Sequence, residues 1–148
     1  MKKTKLFKIL ILSAISFFAL INITWFSITY IKYKPYVDVI PKNSYGFHVF
    51  TDENGYNYNV KKPNYLSLTG NLGVTNKTNE FALIIWPKIF GKYIYGVRIQ
   101  QEEVVYSIYV DENLKPIYSG NEEIKNIINK YKPELEILYN NAKKKWNL

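Results

Sequence analysis

From Ile9 to Ile31 the chain runs 23 residues without a charged side chain. A helix of that length rises about 35 Å, enough to cross a hydrocarbon layer of about 30 Å with modest tilt. A secretory leader has a shorter apolar stretch, roughly 7–15 residues, and exits through small residues. Here the exit is Trp25-Phe26-Ser27-Ile28-Thr29-Tyr30, and Lys32 and Lys34 follow. Amphipathic rings and long cations belong at the rim of a membrane span. The segment therefore predicts a retained transmembrane signal anchor over residues 9–31. Lys2, Lys3, Lys5 and Lys8 precede it, and the excess of cations on that side predicts a cytoplasmic basic tail over residues 1–8. The expected location is the cell membrane, single-pass, with the C-terminal domain extracytoplasmic.

The rest of the chain suffices for one small domain with its own core. Residues 32–44, KYKPYVDVIPKNS, carry Pro35 and Pro41. Proline lacks a donor and restricts its predecessor, so the stretch reads as an extended stalk reaching at most about 40 Å from the bilayer. Residues 45–148 then form the extracytoplasmic domain. The chain's 25 aromatic residues include 14 tyrosines, a composition that favours pleated surfaces.

Strand signals recur along this domain. Residues 45–60 alternate around the turn Asp52-Glu53-Asn54-Gly55, which predicts a hairpin with one apolar and one polar face. Tyr45, Phe47, Val49 and Thr51 fall on one side of it. Residues 64–79 read as a strand interrupted by Gly70 and Gly73. Phe81–Trp86 is almost continuously apolar, as for a central strand covered on both faces. Tyr93, Tyr95, Val97 and Ile99 then alternate with Ile94, Gly96 and Arg98. Val104–Val110 alternates again, and a turn leads into Leu114–Tyr118. Short turns impose antiparallel pairing, so the prediction is a meander of six or seven strands.

The C-terminal segment carries Ile124, Ile128, Tyr131, Leu135, Leu138, Ala142 and Trp146 at steps of three or four, one face of a helix. Ser119 and Glu122 have capping-box spacing, and Pro133 predicts a kink near Lys132. The fold class expected is α+β: a transmembrane helix, then an antiparallel β-meander with a C-terminal helix packed on one face.

Signals for chemistry are sparse. The chain has no Cys and a single His, His48, too few for a thiolate site or an ordinary histidine metal site. Phosphate-binding loops, dinucleotide fingerprints and nucleophile elbows are absent from the sequence. No cofactor is expected. Asp52, Asn54 and Gly55 resemble the start of a calcium loop, but Pro63 stands where its bidentate Glu would be. Of the net charge of +8, four charges lie before residue 9, leaving a mildly basic domain without the charge stripe of a nucleic-acid binder. Lys143-Lys144-Lys145 reads as a solvated helix end.

Two functions stand against each other at this level. One is a non-catalytic binding module at the outer membrane surface, an accessory subunit or immunity-type protective protein for another envelope or secreted protein. Its expected contact surface is an exposed tyrosine-rich sheet face bearing Tyr93, Tyr95, Tyr106, Tyr109 and Arg98, because Tyr is enriched at interfaces. The other is a small cell-envelope hydrolase using the paired turn acids Glu102-Glu103, Asp111-Glu112 and Glu122-Glu123. The expected partners are the lipid bilayer, through residues 9–31, and a protein, with no nucleic acid.

Overall fold

The structure, a computed structural model, describes residues 2–118 and 120–148. The order of elements is α1 (Lys2–Asp38), β1 (His48–Thr51), β2 (Asn57–Lys61), β3 (Asn71–Thr75), β4 (Phe81–Pro87), β5 (Tyr93–Gln101), β6 (Val104–Val110), α2 (Glu122–Lys130) and α3 (Lys132–Trp146). The six strands form one antiparallel sheet in chain order. Leu114–Tyr118, expected as a further strand, contributes only a bridge from Pro116 to Val110.

α1 is long and apolar enough to cross a membrane. Nothing in the described chain covers residues 5–21. The helix does not stop at the end of the uncharged run. Residues 32–38, expected as extended stalk, continue it through Pro35. The reason is tertiary. Tyr33 and Ile40 are fully buried in the core of the domain, and Tyr36 and Val37 pack against that core. Pro35 lies on the exposed side, and burial of its neighbours outweighs the backbone hydrogen bond it removes. The domain consequently sits directly on the end of the helix, with no stalk between them.

Alternation sets the two faces of the sheet. Across β3, β4 and β5 the registers Leu72↔Ile85, Val74↔Leu83, Leu83↔Val97 and Phe81↔Ile99 place one apolar set together. α3 lies across β3 and β4 on this side and contributes Leu135, Leu138, Ala142 and Trp146 to the core. Phe50 pairs with Tyr58 and packs on the core, whereas Tyr45, Phe47 and Val49 are exposed. The bulk of Phe50 opposite buried Tyr58 decides which of the two alternating sets turns inward.

The helical segment breaks where Pro133 requires it. α2 ends at Lys130, Tyr131 links the two helices, and Pro133 occupies the first turn of α3, where its missing N–H has no partner to lose. The cap of α2 is Asn121, whose side chain accepts from the Glu123 N–H at 2.9 Å. The Ser119 half of the expected capping box lies outside the described residues. Lys145 sits 4.2 Å over the Phe50 ring and Lys143 4.9 Å over Tyr139, so these two lysines of the C-terminal run lie against the domain's own aromatics.

Three tyrosine hydroxyls are held well above their ordinary range, each chiefly by burial. A hydrogen bond to Asp52 adds to it at Tyr58, the Tyr139 hydroxyl at Tyr95 and the Tyr93 hydroxyl at Tyr36. The unfolded chain ionises these groups near pH 10, before the folded chain does. Stability from them is complete below that pH and falls as pH rises above it. Denaturant midpoints measured between pH 8 and 11 should therefore drop steeply above about pH 10, and Tyr58→Phe should flatten the drop.

Candidate interaction surface

The five residues expected to share one contact surface divide between the two faces. Tyr93, Tyr95 and Tyr106 point to the helix-covered side. Tyr95 is buried edge-on against Tyr139 of α3, with ring centroids 5.3 Å apart. The Tyr93 hydroxyl lies 3.2 Å from that of Tyr36. Tyr106 packs on the edge of the core, and its hydroxyl faces the Glu123 carboxylate. These three tyrosines hold the helices to the sheet, and Tyr95 is withdrawn from any partner. Arg98 and Tyr109 lie on the opposite face, and both are exposed.

Among the described residues, no helix covers that opposite face. On it, β4 presents Ile84 and Trp86, and β5 presents Ile94, Gly96 and Arg98. The register Gly96↔Tyr109 brings Tyr109 of β6 beside them. The expectation that β4 is covered on both faces is thus corrected: Ile84 and Trp86 are only half-buried. Trp86 is covered by its neighbours within the sheet. Its ring lies over Gly96, where an added Cβ would come within 2.8 Å of it. Gly96 is the gap into which the indole fits.

Tyr109 continues the aromatic row, 5.6 Å from Trp86, and Tyr118 stands edge-on to Tyr109 at 6.4 Å. A notch of 210 Å³ opens among Ile84, Trp86, Gly96, Ser107 and Tyr109. Beside it a wider groove of 670 Å³ runs off the end of β5 and β6, past Ile94 and Tyr118, to Lys88, Lys92, Asp111 and Glu112. The surface is thus an apolar aromatic row bordered by Arg98 and, at one end, by charges of both signs. Tyr109 is 51% and Tyr118 85% exposed, which leaves two amphipathic rings free to meet a partner.

Sequence reasoning missed Trp86, Gly96 and Tyr118. Alternation already assigned Gly96 and Arg98 to one side of β5. The seat of Trp86 on Gly96 is diagonal across the β4–β5 register, in which Gly96 faces Ile84 and Trp86 faces Ile94, so no spacing within one strand signals it.

The paired acids do not converge. Glu102 and Glu103 make the β5–β6 turn, with Glu102 in the left-handed region. Asp111, at the other end of β6, accepts from the N–H groups of Asn113 and Lys115. Glu122 bonds Lys125 at 2.6 Å, and Glu123 faces Tyr106. His48 is held by the Ile40 carbonyl, 2.9 Å from its Nδ1, so it fastens β1 to the chain leaving α1. Asp52 accepts from the N–H groups of Asn54 and Tyr56 and from the Tyr58 hydroxyl, all within its own hairpin. Among the described residues, no three His, Cys, Asp or Glu side chains come together as metal ligands. In comparison with known proteins, no family model, no curated protein and no solved structure matches this chain.

Proposed function

We propose that the protein is a membrane-anchored extracytoplasmic binding module, without catalysis of its own, that holds another envelope or secreted protein against the open face of its sheet. The cation excess before residue 9 favours a cytoplasmic N-terminus and an outward-facing domain. An accessory subunit or an immunity-type protective protein has this form.

The observation that carries the reading is the uncovered half of the sheet at β4–β6. There the row Trp86–Tyr109–Tyr118 stands beside Arg98, while helices cover the other face. Aromatic rings grouped with an Arg are the composition of binding hot spots. The acid pairs favour no second reading, because they lie at separate ends of the sheet and at the start of α2 and do not converge on one site.

A photo-crosslinking residue at Tyr109, in cells that express the intact chain, should give one discrete adduct with a protein. The same probe at Glu103, on the far β5–β6 turn, should give none. Gly96→Val should abolish the adduct by forcing the Trp86 ring off its seat, while the helix-covered core stays intact. Equal labelling from Tyr109 and Glu103, or an adduct indifferent to Gly96→Val, would remove the assignment.

A further inference from the structure

The connection between β2 and β3 is fastened to the apolar helix itself. Trp25 Nε1 donates to the Ser67 carbonyl at 2.7 Å, and the Tyr65 hydroxyl donates to Asn22 Oδ1. The Trp25 and Tyr65 rings meet edge-on at 5.2 Å. Higher up, the Gly70 N–H donates to the Tyr33 hydroxyl at 2.6 Å. Asn22, Trp25, Thr29, Tyr33 and Tyr36 recur at three- and four-residue steps, so they form one stripe of the helix facing the domain.

The depth of this contact follows from helix geometry. The uncharged run starts at Ile9, and about 20 residues of helix fill a hydrocarbon layer of about 30 Å. That layer ends near Ile28. Asn22 and Trp25 lie six and three residues earlier, about 9 and 5 Å below the boundary. Keeping Ile31 in hydrocarbon would put them deeper still. A loop bonded to both residues cannot stand in bulk water.

Its composition fits that depth. Leu66 is 55% exposed and Leu68 41% exposed beside the helix, a cost in water and a gain in lipid. Part of the loop's polar backbone, around Ser67 and Thr69, is paired internally or by the helix. Ser67 N–H donates to the Asn64 carbonyl, Ser67 Oγ exchanges hydrogen bonds with the backbone of Thr69, and Trp25 takes the Ser67 carbonyl. Leu66 takes a positive φ of 59°, a conformation a leucine seldom adopts. It leaves the side chain free rather than packed in the domain core.

We infer that the β2–β3 loop, through Tyr65, Leu66 and Leu68, is a second membrane element inserted into the phospholipid leaflet nearest the domain. The chain then holds its domain at two points instead of swinging it from one. The inference rests on α1 spanning the bilayer, and one experiment separates the two claims.

The sequence contains no cysteine, so single cysteines accept a fluorophore cleanly. Full-length protein labelled at Ile15, Leu66, Leu68 or Glu103 would be reconstituted in phosphatidylcholine–phosphatidylglycerol vesicles carrying brominated acyl chains. Labels at Leu66 and Leu68 should be quenched severalfold more than the label at Glu103, and best by bromines near the headgroup. The Ile15 label should respond best to bromines near the chain ends. Leu68 covers the case in which a label at Leu66 disturbs its backbone. Labels at both leucines quenched by aqueous iodide and not by bromolipid, with Ile15 still lipid-quenched, would overturn the inserted loop alone. An Ile15 label indifferent to bromolipid would overturn the span and the insertion together.

Discussion

Leu135→Ala is expected to lower the unfolding free energy of the domain by about 2–5 kcal/mol, the range for truncating a fully buried leucine. Leu135 is completely buried, one turn into α3 past the Pro133 break. Its side chain is among those that fasten α3 over the central strands. Small domains are stable by only about 5–15 kcal/mol, so the loss is a large fraction of the whole. The cavity cannot refill easily, because the opposite wall is sheet whose register is fixed on both sides of β4. Ile137→Ala is the control. Ile137 lies two residues away on the same helix and is half exposed, so its truncation should move stability by no more than about 0.5 kcal/mol. Urea titration followed by far-ultraviolet circular dichroism would separate the two. Equal effects would mean that α3 does not bury the face assigned to it.

The helical half of this architecture is legible in the sequence because its signals are periodic. The step of three and four from Ile124 to Trp146 defines the buried stripe of α2 and α3, and Pro133 marks the joint. Ile127 joins that stripe, where an apolar neighbour of Ile128 widens it. The meander is legible because each strand is short and the turns are polar, all but the Glu102-Glu103 turn carrying Gly, Asn or Asp. Orientation is harder. In β1 both alternating sets contain a large aromatic, and only the pairing of Phe50 with Tyr58 decides between them. The end of α1 was misjudged for another reason. Pro35 argues locally against helix, and the burial of Tyr33 and Ile40 that overrides it comes from residues far along the chain.

The contact surface was half legible. Period two alone places Tyr93 and Tyr95 opposite Arg98 on β5, and Tyr106 opposite Tyr109 on β6. Parity alone therefore excludes a single surface holding all five. What parity cannot supply is which side the helices take. It also cannot supply the register that lays Trp86 over Gly96 and sets Tyr109 beside it. Those are pairings between strands, and they follow from packing of the other face.

Tyr33→Ala should be the most damaging single change in α1, because this residue ties the apolar helix to the folded domain twice. Its ring is fully buried in the core, edge-on to Tyr36 at 6.0 Å. Its hydroxyl accepts the Gly70 N–H where β3 begins. The backbone is tight there: an added Cβ on Gly70 would collide with the Lys61 carbonyl oxygen, so the strand cannot shift to find another acceptor. Truncation removes an aromatic side chain from the core, about 3–5 kcal/mol, and strands a buried donor, about 1–3 kcal/mol more. Tyr33→Phe keeps the ring and should cost only the second part. The pair thus divides packing from hydrogen bonding at one position. Thermal unfolding of full-length protein in lipid nanodiscs would read the stability order as wild type, then Tyr33→Phe, then Tyr33→Ala. The Phe variant matching wild type would show that the Gly70 N–H finds another partner. The Ala variant matching the Phe variant would mean that the helix and the domain are not one packed unit, and the depth inferred for the β2–β3 loop would lose its anchor.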